Sequence, residues 1–179
     1  MLIRIAPDMF CDQRYACVTI QEMIQEIVRT QKFKMRYPWR TTYKSKIIPL
    51  KRTTVESGDF ALYLQVIRNM IETGTMNERT KRFFNLSYID QRVAACCIAH
   101  DFTLTTIDDD LRDFVAQEFA GKTIAPLAIV NGWITKGLIT WDDDLQGIIE
   151  DWNRCNEHPQ PRKEIKRFER LTGYTYCGP

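Results

Sequence analysis

The residues most able to do chemistry sit in the middle of the chain, where Phe102-Thr103-Leu104-Thr105-Thr106-Ile107 runs into Asp108, Asp109 and Asp110. A β-rich apolar run that ends in carboxylates and opens into a helical pattern reads as strand, acidic turn, helix. In an open α/β sheet, ligands bind outside the carboxyl ends of parallel strands, so Asp108 and Asp110 would lie on the rim of a functional crevice. Three consecutive carboxylates repel one another, and a bound cation would relieve that repulsion. Oxygen donors without a Cys/His cluster suit Mg²⁺ or Mn²⁺ better than zinc. Such an ion can activate a water for in-line attack on a phosphodiester and steady the leaving oxygen. Thr106 stands where its hydroxyl could hold a carboxylate in place.

Each acid also has a plainer reading. Thr19-x-x-Glu22 and Ser87-x-x-Asp90 have the form of capping boxes or their acidic equivalents, and Asp108 has the form of a helix N-cap. Asp90 carries one further signal, because Val93, Ala94 and Cys97 follow it at helical spacing and set its carboxylate along an apolar stripe. A carboxylate there is costly unless it is paired or metal-bound. His100 decorates a helix end, and His158 falls in the connector His158-Pro159-Gln160-Pro161.

The elements that must position these groups alternate. Residues 2–6 and 46–50 read as strands, residues 16–18 as a brief extended piece, and residues 102–107 and 123–130 as further strands. Between them lie a helix from Thr19 with Ile20, Met23, Ile24 and Ile27 at helical spacing, a strong helix over residues 60–73 stopped by Gly74, and a short one over 77–84. Two more helices cover residues 87–99 and 110–119. Strands separated by helices imply a three-layer α/β/α sandwich with a central, mostly parallel sheet. This domain would span residues 1–135. Residues 136–179 form a C-terminal helical extension, with a helix capped by Asp142 and striped by Leu145, Ile148, Ile149 and Trp152, then a basic amphipathic piece over 162–171.

At 179 residues and 44% hydrophobic, the chain can bury a core without disulfides. Its six cysteines show no pair of C-x-x-C motifs, so structural zinc is not expected. No apolar run approaches the roughly 20 residues of a membrane span, and no secretory signal opens the chain. These features read as a soluble cytoplasmic protein with reduced thiols.

The net charge of +2 is unevenly spread. Residues 30–55 hold Lys32, Lys34, Arg36, Arg40, Lys44, Lys46, Lys51 and Arg52 and no acid, while residues 157–179 hold five basic and three acidic residues. The remainder has 12 basic and 20 acidic residues. Tyr37, Trp39 and Tyr43 interleave with the cations of the basic stretch. Lys32, Lys34, Arg36, Tyr37, Trp39, Arg40 and Lys44 are therefore candidates for phosphate binding and base stacking, and a solvated surface with core-packed aromatics is the bland alternative.

The order of these motifs resembles the PIN-domain nucleases over about residues 2–130. The matching features are a strand ending at Asp8, Thr19-x-x-Glu22 at a helix start, an aliphatic strand and a long helix, Asp90 running into small residues, and Thr106-Ile107-Asp108-Asp109-Asp110 after an apolar strand. The resemblance implies a divalent-metal-dependent endoribonuclease acting on single-stranded or structured RNA. In that reading Asp8, Glu22, Asp90 and Asp108 are catalytic, and Asp8, Asp90, Asp108 and Asp110 hold Mg²⁺ or Mn²⁺. Asp8 departs from the family pattern, being followed by Met9, Phe10 and Cys11, and Asp12 lies close enough to stand in for it. Two alternatives stay open. One is a catalytically weak PIN-like scaffold that binds RNA or protein through the basic arm; the other is the toxin of a toxin–antitoxin pair, with an antitoxin protein as partner. A homodimer is also left open.

Overall fold

The computed structural model describes residues 1–10, 17–155 and 159–179, with only the backbone of Lys32. Asp12 and His158 lie outside the described residues. The expected parallel-sheet sandwich is overturned: among the described residues the elements are α-helices and short 3₁₀ turns, with no strand beyond two isolated bridges. The helices are α1 (Leu2–Ile5), α2 (Gln21–Arg29), α3 (Gln31–Arg36), α4 (Arg40–Tyr43), α5 (Arg52–Val55), α6 (Phe60–Thr73), α7 (Tyr88–Ala99), α8 (Asp109–Phe119), α9 (Pro126–Thr135), α10 (Asp143–Asn153) and α11 (Arg162–Thr172). They form two compact units. The first comprises Met1–Val18, Ile24–Ile48 and Ala125–Pro179, and the second Thr19–Met23 and Pro49–Ile124.

In the first unit the apolar run at residues 2–6 folds as α1, with Ile3 and Ile5 buried. A run this short satisfies either period, and here packing against α10 and the following 3₁₀ turn decides for helix. The expected strand over 123–130 becomes α9 because Pro126 occupies its first position, where the missing N–H would have had no intrahelical partner. Leu127, Val130 and Trp133 then bury one face. Asp142 caps α10 as anticipated, its Oδ1 accepting from Leu145 N at 2.9 Å, and Ile149 and Trp152 turn into the core. Phe168 of α11 is fully buried and meets Trp141 edge to face at 4.7 Å. Its burial contributes about 2–3 kcal/mol.

In the second unit α6 packs on α7 and α7 on α8, around Ile67, Ala94, Ala95, Leu111, Phe114 and Val115. Gly74 ends α6 in the left-handed region, at φ 84°. The expected helix over 77–84 is instead a tight turn closed by an antiparallel bridge between Met76 and Phe83. The buried Asn77 Oδ1 accepts from Arg79 N and Thr80 N as a helix cap would, but the turn closes after one round: Lys81 sits in the left-handed region at φ 58° and Asn77 N donates back to Arg82 O at 2.8 Å. The expected strand at 102–107 is extended but reduced to one parallel bridge, Leu104 with Thr123, flanked by bonds of 2.8 and 2.9 Å to Lys122 O and from Ile124 N. The stretch at 46–50 follows a 3₁₀ turn and makes no ladder, although Leu50 N donates to Thr19 O at 2.9 Å. No described helix is long and apolar enough to cross a membrane.

Candidate functional site

The acids singled out by sequence fall in both units. Asp8 is exposed in a 3₁₀ turn, Pro7–Phe10, of the first unit. Glu22, Asp90, Asp108 and Asp110 belong to the second unit, and each has protein partners there. Ser87 and Asp90 form a reciprocal capping box on α7: Asp90 Oδ2 accepts from Ser87 N at 3.0 Å and from Ser87 Oγ at 2.6 Å, while Asp90 N donates to Ser87 Oγ at 3.2 Å. Asp108 caps α8, its Oδ1 accepting from Leu111 N at 2.9 Å. The Thr106 hydroxyl accepts from Asp108 N at 3.0 Å, so it holds the backbone of Asp108 rather than its carboxylate. Asp110 accepts from Asn85 N at 3.3 Å and lines a shallow groove with Thr80, Arg82, Phe83 and Asn85. Asp109 pairs with Arg79 at 3.1 Å and Arg112 at 2.7 Å.

Glu22 faces Arg92, a buried guanidinium on α7 that also reaches Glu56 at 3.1 Å and lies 5.1 Å from the centre of the Phe60 ring. The Nε of Arg92 is 3.1 Å from Glu22 Oε1, but its N–H is not aimed at that oxygen, so the contact is a charge pair more than a hydrogen bond. Hydrogen bonds from Arg52 and then Arg92 hold the Glu56 carboxyl below the usual range. Burial pushes the Asp113 carboxyl up, but hydrogen bonds from Asn77, Arg79 and Arg112 outweigh it and leave the group below its ordinary value. Among the described residues, no three His, Cys, Asp or Glu side chains stand together as a metal-holding group.

The basic stretch is better assembled. In the first unit, Phe33, Tyr37, Trp39 and Tyr43 form a continuous ladder of rings with centroid separations of 5.8, 5.7 and 5.9 Å. Tyr37 packs against the core of that unit. Arg4 lies 5.4 Å from the Trp39 ring centre and pairs with Asp151 at 3.0 Å, tying α1, the ladder and α10 together. Arg36 stacks on Tyr37 at 5.7 Å and donates from Nε to the Cys155 carbonyl. Arg40 is turned inward, donating to the carbonyls of Lys34 and Tyr37 at 3.4 and 3.3 Å. Lys34 and Lys44 are exposed, while the side chain of Lys32 lies outside what is described. Of the seven nucleic-acid candidates, then, Lys34 and Lys44 present charge to solvent, Tyr37 and Trp39 build the platform, and Arg36 and Arg40 brace it.

Arg92 and Asn77 escaped sequence reasoning. Arg92 sits inside an apolar helix pattern where the distant Glu22 and Glu56 account for it, and no spacing marks Asn77 as a turn centre. No protein-family model, characterised protein or solved structure matches the chain.

Proposed function

We propose that the chain binds single-stranded RNA through the basic, ring-laddered segment of its first unit. The observation that carries this reading is the placement of exposed Lys34 and Lys44 beside a braced row of aromatic rings, in a stretch of sequence with no carboxylate. Lysines in a segment without acids of its own exchange condensed counterions for phosphate contacts, and the platform fixes where those contacts form. Tyr43 ends the ladder and offers ring surface to a base. Because Arg36 and Arg40 spend their guanidiniums on carbonyls and a ring, they hold α3 and α4 in place and leave phosphate binding to the lysines. The test is the salt dependence of oligouridylate binding, in which a Lys34→Gln, Lys44→Gln variant should show a shallower slope than the parent.

A second reading keeps the metal-dependent ribonuclease. It is favoured by the parallel bridge between Leu104 and Thr123 on either side of α8, which retains the order of extended segment, Asp108 and helix. Mn²⁺-dependent cleavage of RNA, lost in Asp108→Asn and Asp90→Asn, would support it. RNA left intact under conditions where it is bound would leave the binding reading alone.

A further inference from the structure

The last helix carries a charge pattern that neither the ring ladder nor the acids account for. Arg162, Lys166 and Arg170 recur every four residues on α11, about 6 Å apart along its axis, and Lys163 lies beside them. All four are exposed. The carboxylates of the same helix are directed elsewhere. Glu164 is buried, where its Oε2 and its carbonyl accept from Asn131 Nδ2 at 3.0 and 2.9 Å. Glu169 accepts from Tyr176 N at 3.1 Å. Arg167 donates to Thr135 Oγ1 at 3.2 Å on the side facing α9. Among the described residues, none of the four exposed cations is in an ion pair. A helix whose acids are consumed by its own packing thus presents an uncompensated positive stripe.

We infer that this stripe of α11, formed by Arg162, Lys163, Lys166 and Arg170, is a second phosphate-binding surface for single-stranded RNA. The inference rests on the RNA-binding reading of the first unit, to which α11 belongs. A membrane surface is the other polyanion such a stripe could meet, and the burial pattern argues against it. Helices that lie in an interface insert an apolar face between headgroups. Here Phe168 is fully buried in the unit, Ile165 packs on the same core, and Leu171, 36% exposed, is the one large apolar side chain of the helix left at the surface. Charge without an insertable face suits phosphates that are themselves solvated.

The test uses the full chain and a fluorescein-labelled oligouridylate, with anisotropy read across a salt series. Each lost phosphate contact on a single strand flattens the plot of log K against log salt by about 0.7, so a variant with Arg162, Lys163, Lys166 and Arg170 all changed to Gln should lose up to about 2.8 in slope. A Lys163→Gln, Lys166→Gln variant should lose about 1.4. Helical circular dichroism unchanged from the parent confirms that α11 is intact, and the double variant keeps the test available if the quadruple one unfolds. Slopes equal to the parent in both α11 variants, while Lys34→Gln, Lys44→Gln flattens it, would overturn this inference and leave the RNA-binding reading standing. A flatter slope in the α11 variants alone would uphold the α11 surface and remove the ring-ladder site. A parent that does not bind the oligonucleotide overturns both. Sedimentation with phosphatidylserine vesicles supplies the last arm: α11-dependent vesicle binding without any change in RNA slope would overturn the inference in favour of a membrane surface.

Discussion

Asp108 separates a structural acid from a catalytic one, because the two roles respond differently to the same conservative change. As placed, its Oδ1 accepts from Leu111 N at 2.9 Å and satisfies one of the orphan amides at the start of α8. Asn offers the same acceptor at the same length, so Asp108→Asn keeps the cap. It gives up a favourable charge near the helix N-terminus, worth about 0.3–1 kcal/mol. It also relieves repulsion from Asp109 and Asp110, which the dipole holds in the same turn. The two effects oppose, and the net change should be within about 0.5 kcal/mol. Asp108→Ala removes the acceptor altogether and should cost about 1 kcal/mol, lowering Tm by roughly 2–4 °C for a chain of this size. Thermal melts of the parent and both variants at neutral pH, with and without Mn²⁺, read this directly. The expected order is parent and Asp108→Asn close together, Asp108→Ala lower, and all three insensitive to Mn²⁺. Should Asp108→Asn fall as far as Asp108→Ala, or should Mn²⁺ stabilise the parent and not Asp108→Asn, the carboxylate charge itself would be what matters and the capping argument would be refuted.

Three other outcomes follow from the same contacts. Arg92→Met should destabilise the chain by about 2 kcal/mol in urea titration, below the 3–5 kcal/mol of a fully buried pair because Glu22 and Glu56 are 37% and 33% exposed and can rehydrate; a loss below about 0.5 kcal/mol would show the guanidinium to be dispensable. Glu56 and Asp113 have folded pKa values lowered by their hydrogen bonds, so their contribution is present above the unfolded carboxylate range and is lost as pH falls through the folded values. Stability should therefore be level above about pH 5 and decline from about pH 4 downward, and Asn77→Ala, which deletes one donor to Asp113, should soften that decline; a decline unchanged by the substitution would dismiss the Asn77 contact as its source. Burial pushes the Cys96 and Cys97 thiols up to about 11 and about 12, so at pH 8 alkylation of either in the folded protein should be slower than in the unfolded chain by on the order of 100-fold, and peptide mapping that finds Cys96 labelled quickly would contradict its burial.

What the sequence made legible was local. Helices with both a stripe and a terminal signal appear where expected: α6 stopped at Gly74, α7 boxed by Ser87 and Asp90, α8 begun at Asp108, α10 begun at Asp142. Short apolar runs were not legible, since residues 2–6 and 123–130 satisfy either period and the choice fell to packing partners and to Pro126. The order of such runs implies a parallel sheet, and among the described residues one parallel bridge, between Leu104 and Thr123, is what appears of it. The spacing does encode the caps made by Asp90 and Asp108, because those contacts lie within three residues, whereas the ion pair of Glu22 with Arg92 depends on tertiary packing. The basic stretch depended on composition alone, yet sequence could not distinguish Lys34 at the surface from Arg40 turned inward, because both face solvent or carbonyl according to the turn at residues 37–39.

The RNA-binding claim meets its most direct test in the slope of log K against log KCl for a labelled oligouridylate. The parent should bind with a clearly negative slope, and Lys34→Gln, Lys44→Gln should flatten it by about 1.4, at about 0.7 for each lost phosphate contact. A parent that leaves the oligonucleotide unbound at low salt, or a double variant whose slope equals the parent's, would contradict it.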